Sequence, residues 1–338
     1  MKSLAVKYRP ATFEEVLGQT STITILKKQL EKKAYTNCYL FAGPSGEGKT
    51  TTARLFASSI NGKPNSYIEI DAASNSSVDS VRSIIASAYE RSIDSEYKIY
   101  IIDEAHAISS AGWQAFLKCI EEPPKYTIFM FCTTNPEKIP DTIKNRVMRF
   151  NLSRISTDLI RERLELICKK EGYTNYFESC DYIAKLADGG CRDAIAMLEK
   201  CAGYDIDLNI DNVLKCLGNL SYKKMFELTN AIIDGNEPLV IQIVEDFYND
   251  GNDLKLFIDK YLDFVLDLNK YSLLKSMNCV KIPSSLESDM KYATGIENAP
   301  SYFGKLVNSV LNIKIQIKYD NNARTTVEAL LLSAARGL

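Results

Sequence analysis

The run Gly43-Pro44-Ser45-Gly46-Glu47-Gly48-Lys49-Thr50 constrains this chain more than any other stretch. It fits the pattern G-x-x-x-x-G-K-[ST] in full. It follows the short apolar segment Tyr39-Leu40-Phe41-Ala42 and opens a segment of helical character, Thr50–Ser59. Strand, glycine-rich loop and helix form the context in which that pattern holds phosphate. Backbone N–H groups in such a loop converge on phosphate oxygens, and glycine alone permits the dihedrals and the close approach this needs. The amino end of the helix adds favourable dipole charge. Lys49 is expected to reach the β- and γ-phosphates and the Thr50 hydroxyl to ligate Mg²⁺.

The surrounding pattern agrees with a parallel sheet. Tyr67-Ile68-Glu69-Ile70 and Ile99-Tyr100-Ile101-Ile102 read as second and third strands and Thr127–Cys132 as a fourth. The third is apolar throughout, as a strand covered on both faces should be. Ser77–Tyr89 and Gly112–Glu121 read as the helices between them, the latter stopped by Pro123-Pro124. This β-loop-α alternation predicts a parallel sheet with helices on both faces.

Asp103 and Glu104 stand at the carboxyl end of the third strand, the edge of a parallel sheet where ligands bind. Asp103 is expected to hold Mg²⁺ through water, and Glu104 to orient and polarise an attacking water. His106, the single histidine, has a nucleotide-sensing and a structural reading, of which the structural is the commoner for a lone histidine. Asp103-Glu104-Ala105-His106 also spells the acidic box of some helicases. Those enzymes need two tandem domains of this kind, and the chain has one phosphate loop.

After Phe150 the strands nearly vanish. Thr157–Glu171 carries Leu159, Ile160, Leu164 and Ile167 on one stripe and ends at Gly172. Asp181–Ala187 and Asp193–Lys200 flank Gly189-Gly190. Ser221–Asp234, Pro238–Asn249, Asp253–Met277, Tyr302–Lys318 and Thr325–Arg336 read as further helices. The expected domains are 1–154, 155–205 and 206–338.

Composition sets bounds. Hydrophobic residues make up 46% and charged residues 25% of the 338, which excludes whole-chain disorder and coiled-coil rods. No run approaches the ~18 apolar residues of a membrane span. The opening MKSLAVKYRP lacks a signal-peptide core, so a cytoplasmic location and no membrane partner are expected. Forty-one basic against 43 acidic residues exclude a globally basic nucleic-acid binder. The nine cysteines include no C-x-x-C pair, so reduced thiols and no zinc module are expected.

Further segments carry a resemblance. Val6-Lys7-Tyr8-Arg9-Pro10, then Phe13-Glu14-Glu15-Val16 and Gly18-Gln19, resemble the opening box of clamp-loader AAA+ ATPases. Ile68-Glu69-Ile70-Asp71-Ala72-Ala73-Ser74, Phe116-Leu117-Lys118 and Glu121-Glu122-Pro123-Pro124 are similar to the gamma/tau subunits of bacterial DNA polymerase III, and more loosely to the small subunits of replication factor C. Near the end, Asn322-Ala323-Arg324 and Glu328-Ala329-Leu330-Leu331-Leu332 resemble the last collar helix. The resemblance implies an α/β fold: an AAA+ P-loop parallel-sheet domain, a small helical lid and an all-α C-terminal collar domain.

It also implies roles residue by residue. Tyr8, Arg9, Pro10 and Val16 line an adenine pocket, while Gly43, Pro44, Ser45, Gly46, Glu47, Gly48, Lys49, Thr50 and Thr51 hold the phosphates of ATP. Lys49 and Glu104 act in catalysis, Thr50 and Asp103 on Mg²⁺. Thr134 matches a γ-phosphate sensor, and Arg192 a lid residue that contacts nucleotide in its own subunit. Arg146 falls at the arginine finger, with Asn145 and Val147 in place of the family's Ser and Cys; the guanidinium supplies the charge stabilisation, so the role is kept. Ser76, Ser77, Arg82, Ser109 and Ser110 are the implied contacts to the DNA phosphate backbone.

The implied partners are primer–template DNA, a sliding clamp and companion subunits in a pentamer. Asn61-Gly62-Lys63-Pro64-Asn65 stands where bacterial relatives carry a four-cysteine zinc module, so no zinc is expected, and no tether of the tau type is expected. That shortened form suits a phage or otherwise divergent clamp loader. The implied activity is ATP hydrolysis that opens a clamp and releases it on DNA. A recombination or replication-fork AAA+ ATPase and a non-hydrolysing structural subunit are the alternatives.

Overall fold

A computed structural model gives the structure of the chain and describes residues 3–217, 222–251, 253–318, 320 and 323–337. Of the segments read from sequence, Ser221 and Asn322 lie outside the described residues. By contacts the chain divides into two compact units, Met1–Ile167 with Ala187–Ala196, and Cys168–Leu186 with Met197–Leu338.

The first unit is built on five parallel strands: β1 (Cys38–Ala42), β2 (Ile68–Asp71), β3 (Lys98–Asp103), β4 (Thr127–Thr133) and β5 (Met148–Asn151), in the order β2-β3-β4-β1-β5. Every residue of β1 and β4 is buried, because both faces are covered. On one face Tyr39, Phe41, Ile99, Ile101, Met130 and Phe150 pack with Phe56 and Ala57 of the helix Lys49–Asn61. On the other, Leu40, Tyr100, Phe129 and Phe131 pack with Trp113 and Phe116 of the helix Ser110–Glu121. Alternate residues of one continuous apolar strand therefore serve two separate cores. β2 is the exposed edge.

The fifth strand is an addition to the sequence reading. Met148-Arg149-Phe150-Asn151 is short and half polar, and it becomes a strand by pairing with β1 from Tyr39↔Met148 to Ala42↔Asn151. Immediately after it, the side chain of buried Gln19 donates to the Ser153 carbonyl (2.8 Å) and accepts from the Ser153 N–H (3.2 Å). This bond pair fastens the N-terminal segment beside the sheet, at the Gly18-Gln19 step of the opening box.

The second unit is helical. Tyr222–Ile233, Glu237–Asn249, Leu254–Leu274, Ala299–Ile317 and Ala323–Gly337 enclose one core that includes Phe226, Phe247, Tyr261, Phe264, Phe303 and Leu331. Asp253 caps the longest helix by accepting from the Lys255 and Leu256 N–H groups, and Lys275 closes it in a left-handed conformation. The sequence reading ran that helix on to Met277, which instead sits in a separate turn, Met277–Cys279. Two short helices, Ile210–Cys216 and Glu287–Ala293, were not anticipated. No helix among the described residues is long and apolar enough to cross a membrane.

Candidate nucleotide site

The loop after β1 is shaped by close approaches. A Cβ on Gly43 would lie 2.5 Å from the Leu152 carbonyl oxygen, and one on Gly46 would meet the Gly190 Cα at 3.1 Å. Gly46 also holds φ +81°, which costs other residues strain. Glycine at these two positions lets the loop curl tightly over the carboxyl end of the sheet and into the helix Lys49–Asn61.

Lys49 is buried, and its Nζ donates to the Pro44 carbonyl at 2.5 Å, folding the side chain back across its own loop. Burial pushes its pKa down, while Cys132, Glu104, Glu47 and Asp103 nearby push it up. At the next residue, Thr50 Oγ1 donates to Asp103 Oδ2 (2.9 Å). The carboxyl end of β3 and the amino end of the loop helix thus meet through one hydroxyl and one carboxylate.

Glu104 sits in a left-handed conformation (φ 48°), a strained state for a residue with a Cβ. Its N–H donates to Asp103 Oδ1 (3.0 Å). Its Oε2 accepts from Thr134 Oγ1 at 3.4 Å and lies 3.3 Å from His106 Nδ1. The same histidine nitrogen is 3.2 Å from Thr133 Oγ1. The lone histidine therefore abuts Glu104 rather than sitting in an apolar core.

These groups open onto a cavity of about 530 Å³, a size that suits a small-molecule ligand. Of the residues singled out from sequence, Tyr8, Arg9, Pro10, Val16, Ser45 to Thr51, Asp103, Glu104, Thr134 and Arg192 line it. Gly43 and Pro44 shape the loop without lining the cavity.

Arg146 is not brought there. It is exposed beside the helix Ser110–Glu121, where it pairs with Glu121 Oε1 (2.8 Å) and donates to the Thr142 carbonyl (2.7 Å). The five residues read as DNA contacts form a separate group. Ser77 and Ser109 cap the helices Val78–Ala88 and Ser110–Glu121 by accepting from the Ser80 and Gly112 N–H groups. The Ser109 N–H donates to the Ser76 carbonyl (3.4 Å), placing the two helix starts side by side, with Ser110 opening the second. Exposed Arg82 pairs with Asp79.

The cavity also contains residues that sequence reasoning missed. Leu17, Ile155 and Ile195 add apolar wall, and Arg163 projects from the helix Thr157–Glu171 and donates to the Glu15 carbonyl (3.0 Å). Arg54 and Glu69 form a two-bond pair at its edge, Arg54 Nε donating to Glu69 Oε2 at 2.7 Å. Apart from Glu69, which lies in the segment Ile68–Ser74, no motif marks these positions, since their place depends on which strands and helices become neighbours.

The oxygen donors fit a hard divalent cation that keeps water and shares substrate phosphates. Among the described residues no group of three or more His, Cys, Asp or Glu is placed to hold a metal by itself. Thr50 and Asp103 bring one hydroxyl and one carboxylate together there, too few donors to hold such a cation without further oxygens.

Because β4 lies between β1 and β3, Thr134 at its end stands between the phosphate loop and Glu104. A sheet in that order, with that residue inserted, defines the AAA+ class of P-loop nucleotide-binding domains. The solved RuvB Holliday junction branch migration motor of Thermotoga maritima shares this fold: TM-score 0.53, 20% identity, over 67% of this chain and 79% of that one.

Sequence comparison narrows the class. Residues 64–156 match the family model "DNA polymerase III, delta subunit", and residues 208–293 match "DNA polymerase III subunits gamma and tau domain III". DNA polymerase III subunit tau of Bacillus subtilis is 33% identical over 286 residues, 78% of this chain and 51% of its own length. The tau subunit of Salmonella typhimurium is 31% identical over 310 residues, 85% of this chain and 47% of its own. Over most of its length the chain is thus similar to the gamma and tau subunits of DNA polymerase III. It spans about half the length of the curated relatives it matches.

Proposed function

We propose that the chain is an ATP-hydrolysing subunit of a sliding-clamp loader: ATP binding assembles a ring of subunits that opens a clamp, and primer–template DNA triggers hydrolysis and release. The observation that carries the hydrolytic part is the joining of Thr50, Asp103, Glu104 and Thr134 through contacts of 2.9 to 3.4 Å at the mouth of the cavity. A subunit that only held nucleotide structurally has no need of a carboxylate in a strained backbone, oriented by a hydroxyl from the adjacent strand.

In this reading the loop N–H groups and Lys49 hold the β- and γ-phosphates, Lys49 exchanging the Pro44 carbonyl for a phosphate oxygen. Tyr8, Arg9, Pro10 and Val16 wall the base, and Arg192 reaches the nucleotide in its own subunit. Glu104 accepts the proton of the attacking water, and Thr134 holds that carboxylate in line. Thr50 and Asp103 would hold magnesium, which would supply positive charge against the phosphates. Arg146, at the surface, serves the site of a neighbouring subunit. The paired helix starts with Ser76, Ser77, Arg82, Ser109 and Ser110 follow the DNA backbone. Functionally the chain divides into an ATP-binding domain 1–154, a lid 155–205 and a collar 206–338.

The test is steady-state ATP hydrolysis with companion subunits, with clamp and primed DNA added singly and together. Strong stimulation that needs both supports a clamp loader. Stimulation by DNA alone identifies a recombination or fork ATPase, and absence of hydrolysis in every mixture identifies a structural subunit.

A further inference from the structure

Glu47 occupies the middle of the phosphate loop, between Gly46 (φ +81°) and Gly48 (φ +93°). Its side chain turns inward and is 1% exposed. Among the described residues neither carboxylate oxygen has a hydrogen-bond partner. Oε2 crowds Gly43, where an added Cβ would lie 2.9 Å from it and 2.5 Å from the Leu152 carbonyl oxygen. A buried acid with no donor on either oxygen is costly in its charged form, because nothing replaces the lost water. Here it lies inside a loop whose purpose is to attract anions.

We infer that Glu47 sets the nucleotide affinity of this loop by taking up a proton from solvent when polyphosphate binds. The inference rests on the reading of the loop as an ATP site, and it concerns the Glu47 side chain, to which that reading gives no task beyond the contact of the loop backbone with phosphate.

The charged groups facing Glu47 are Lys49, from the helix that follows the loop, and Arg154, from the segment after β5; both favour the carboxylate, while burial opposes it. Arg154 is already shared with Asp188, its exposed ion-pair partner. Lys49 is the larger of the two influences, and it is also the cation a bound phosphate claims. When nucleotide arrives, Glu47 loses most of that compensation and gains negative charge nearby. Both changes favour the neutral acid. Binding and protonation are then linked. The affinity falls as pH rises through the range in which the free loop holds Glu47 ionised and the occupied loop does not, by at most tenfold per pH unit for one proton.

The experiment is a calorimetric titration of the full chain with ADP and excess Mg²⁺ from pH 6 to 9. ADP avoids turnover, and comparison with Glu47→Gln cancels the titration of the nucleotide itself. The wild-type chain should lose at least fivefold more affinity over this range than Glu47→Gln. In buffers of different ionisation enthalpy it should take up a fraction of a proton to one proton more than the variant. Glu47→Thr, smaller and uncharged, should give the same flat profile and serves if the amide fails to fold. Parallel pH profiles, or equal proton uptake, overturn the inference while leaving the nucleotide site intact. A wild-type chain that binds no ADP at any pH overturns the inference together with the reading beneath it.

Discussion

Thr50 Oγ1 donates to Asp103 Oδ2 across 2.9 Å, joining the first turn of the loop helix to the end of β3. The hydroxyl and carboxylate come from positions 53 residues apart, yet they meet because β4 is all that separates β1 from β3. Thr50→Val keeps the β-branched shape and removes the hydroxyl. ATP binding without Mg²⁺ should change little, whereas the gain in affinity that Mg²⁺ confers should fall at least tenfold. Titrations with and without Mg²⁺ measure the difference, and an unchanged gain removes Thr50 from the metal site.

Glu104→Gln preserves shape and removes the base. Nucleotide affinity should stay within a few-fold of wild type while turnover falls by roughly 10²–10⁴. Single-turnover hydrolysis in the assembled complex is the measurement. Turnover close to wild type would assign the attacking water to another residue, with His106 the nearest candidate at 3.3 Å from the same carboxylate.

Stability should carry the mark of Glu47 as well. Burial raises its pKa in the folded chain above 4.5, the ordinary value of the unfolded chain. For a raised folded value the contribution to stability is fully present below the unfolded pKa and is lost as pH rises through the folded one. Glu47→Thr should therefore stabilise the free chain at pH 8, by about 1–3 kcal/mol, the cost of one unsatisfied buried polar group. The gain should shrink towards pH 4. Denaturant midpoints at the two pH values decide it, and a variant equally or more stabilised at pH 4 contradicts the sign.

The parts of this molecule that were legible in sequence are those whose signal is local. The phosphate loop, the apolar run before Asp103 and the stripe of Thr157–Glu171 each show themselves within a dozen residues, and each lies where the sequence places it. β5 was not legible: Met148–Asn151 is a strand only because β1 offers it a free edge. Arg163 and Ile195 reach the cavity through tertiary placement and have no local mark. The inward turn of Glu47 was hidden for another reason. The pattern G-x-x-x-x-G-K-[ST] leaves its position open, so only the folded loop reveals a carboxylate without a donor.

Arg146 provides the test of assembly and catalysis together. It lies outside the cavity of its own chain and is held by Glu121 and the Thr142 carbonyl, so any contribution to hydrolysis must reach a neighbour's γ-phosphate. A guanidinium supplied in that way is worth roughly 10³–10⁵ in rate, because it meets charge that develops during transfer. The isolated chain should accordingly hydrolyse ATP slowly whatever its affinity. Arg146→Ala should bind ATP normally and fail to turn over in an assembly made only of that variant. Lys49→Ala should fail for the opposite reason, lacking the cation that meets the phosphates. Mixed together, the two should regain activity wherever the intact loop of an Arg146→Ala subunit faces the intact arginine of a Lys49→Ala subunit. Activity should pass through a maximum at intermediate mixing ratios and decline on dilution as the assembly dissociates. If the variants co-assemble by light scattering and no activity returns, Arg146 does not act across a subunit boundary. The exchange of Ser and Cys for Asn145 and Val147 would then mark a finger that has lost its function.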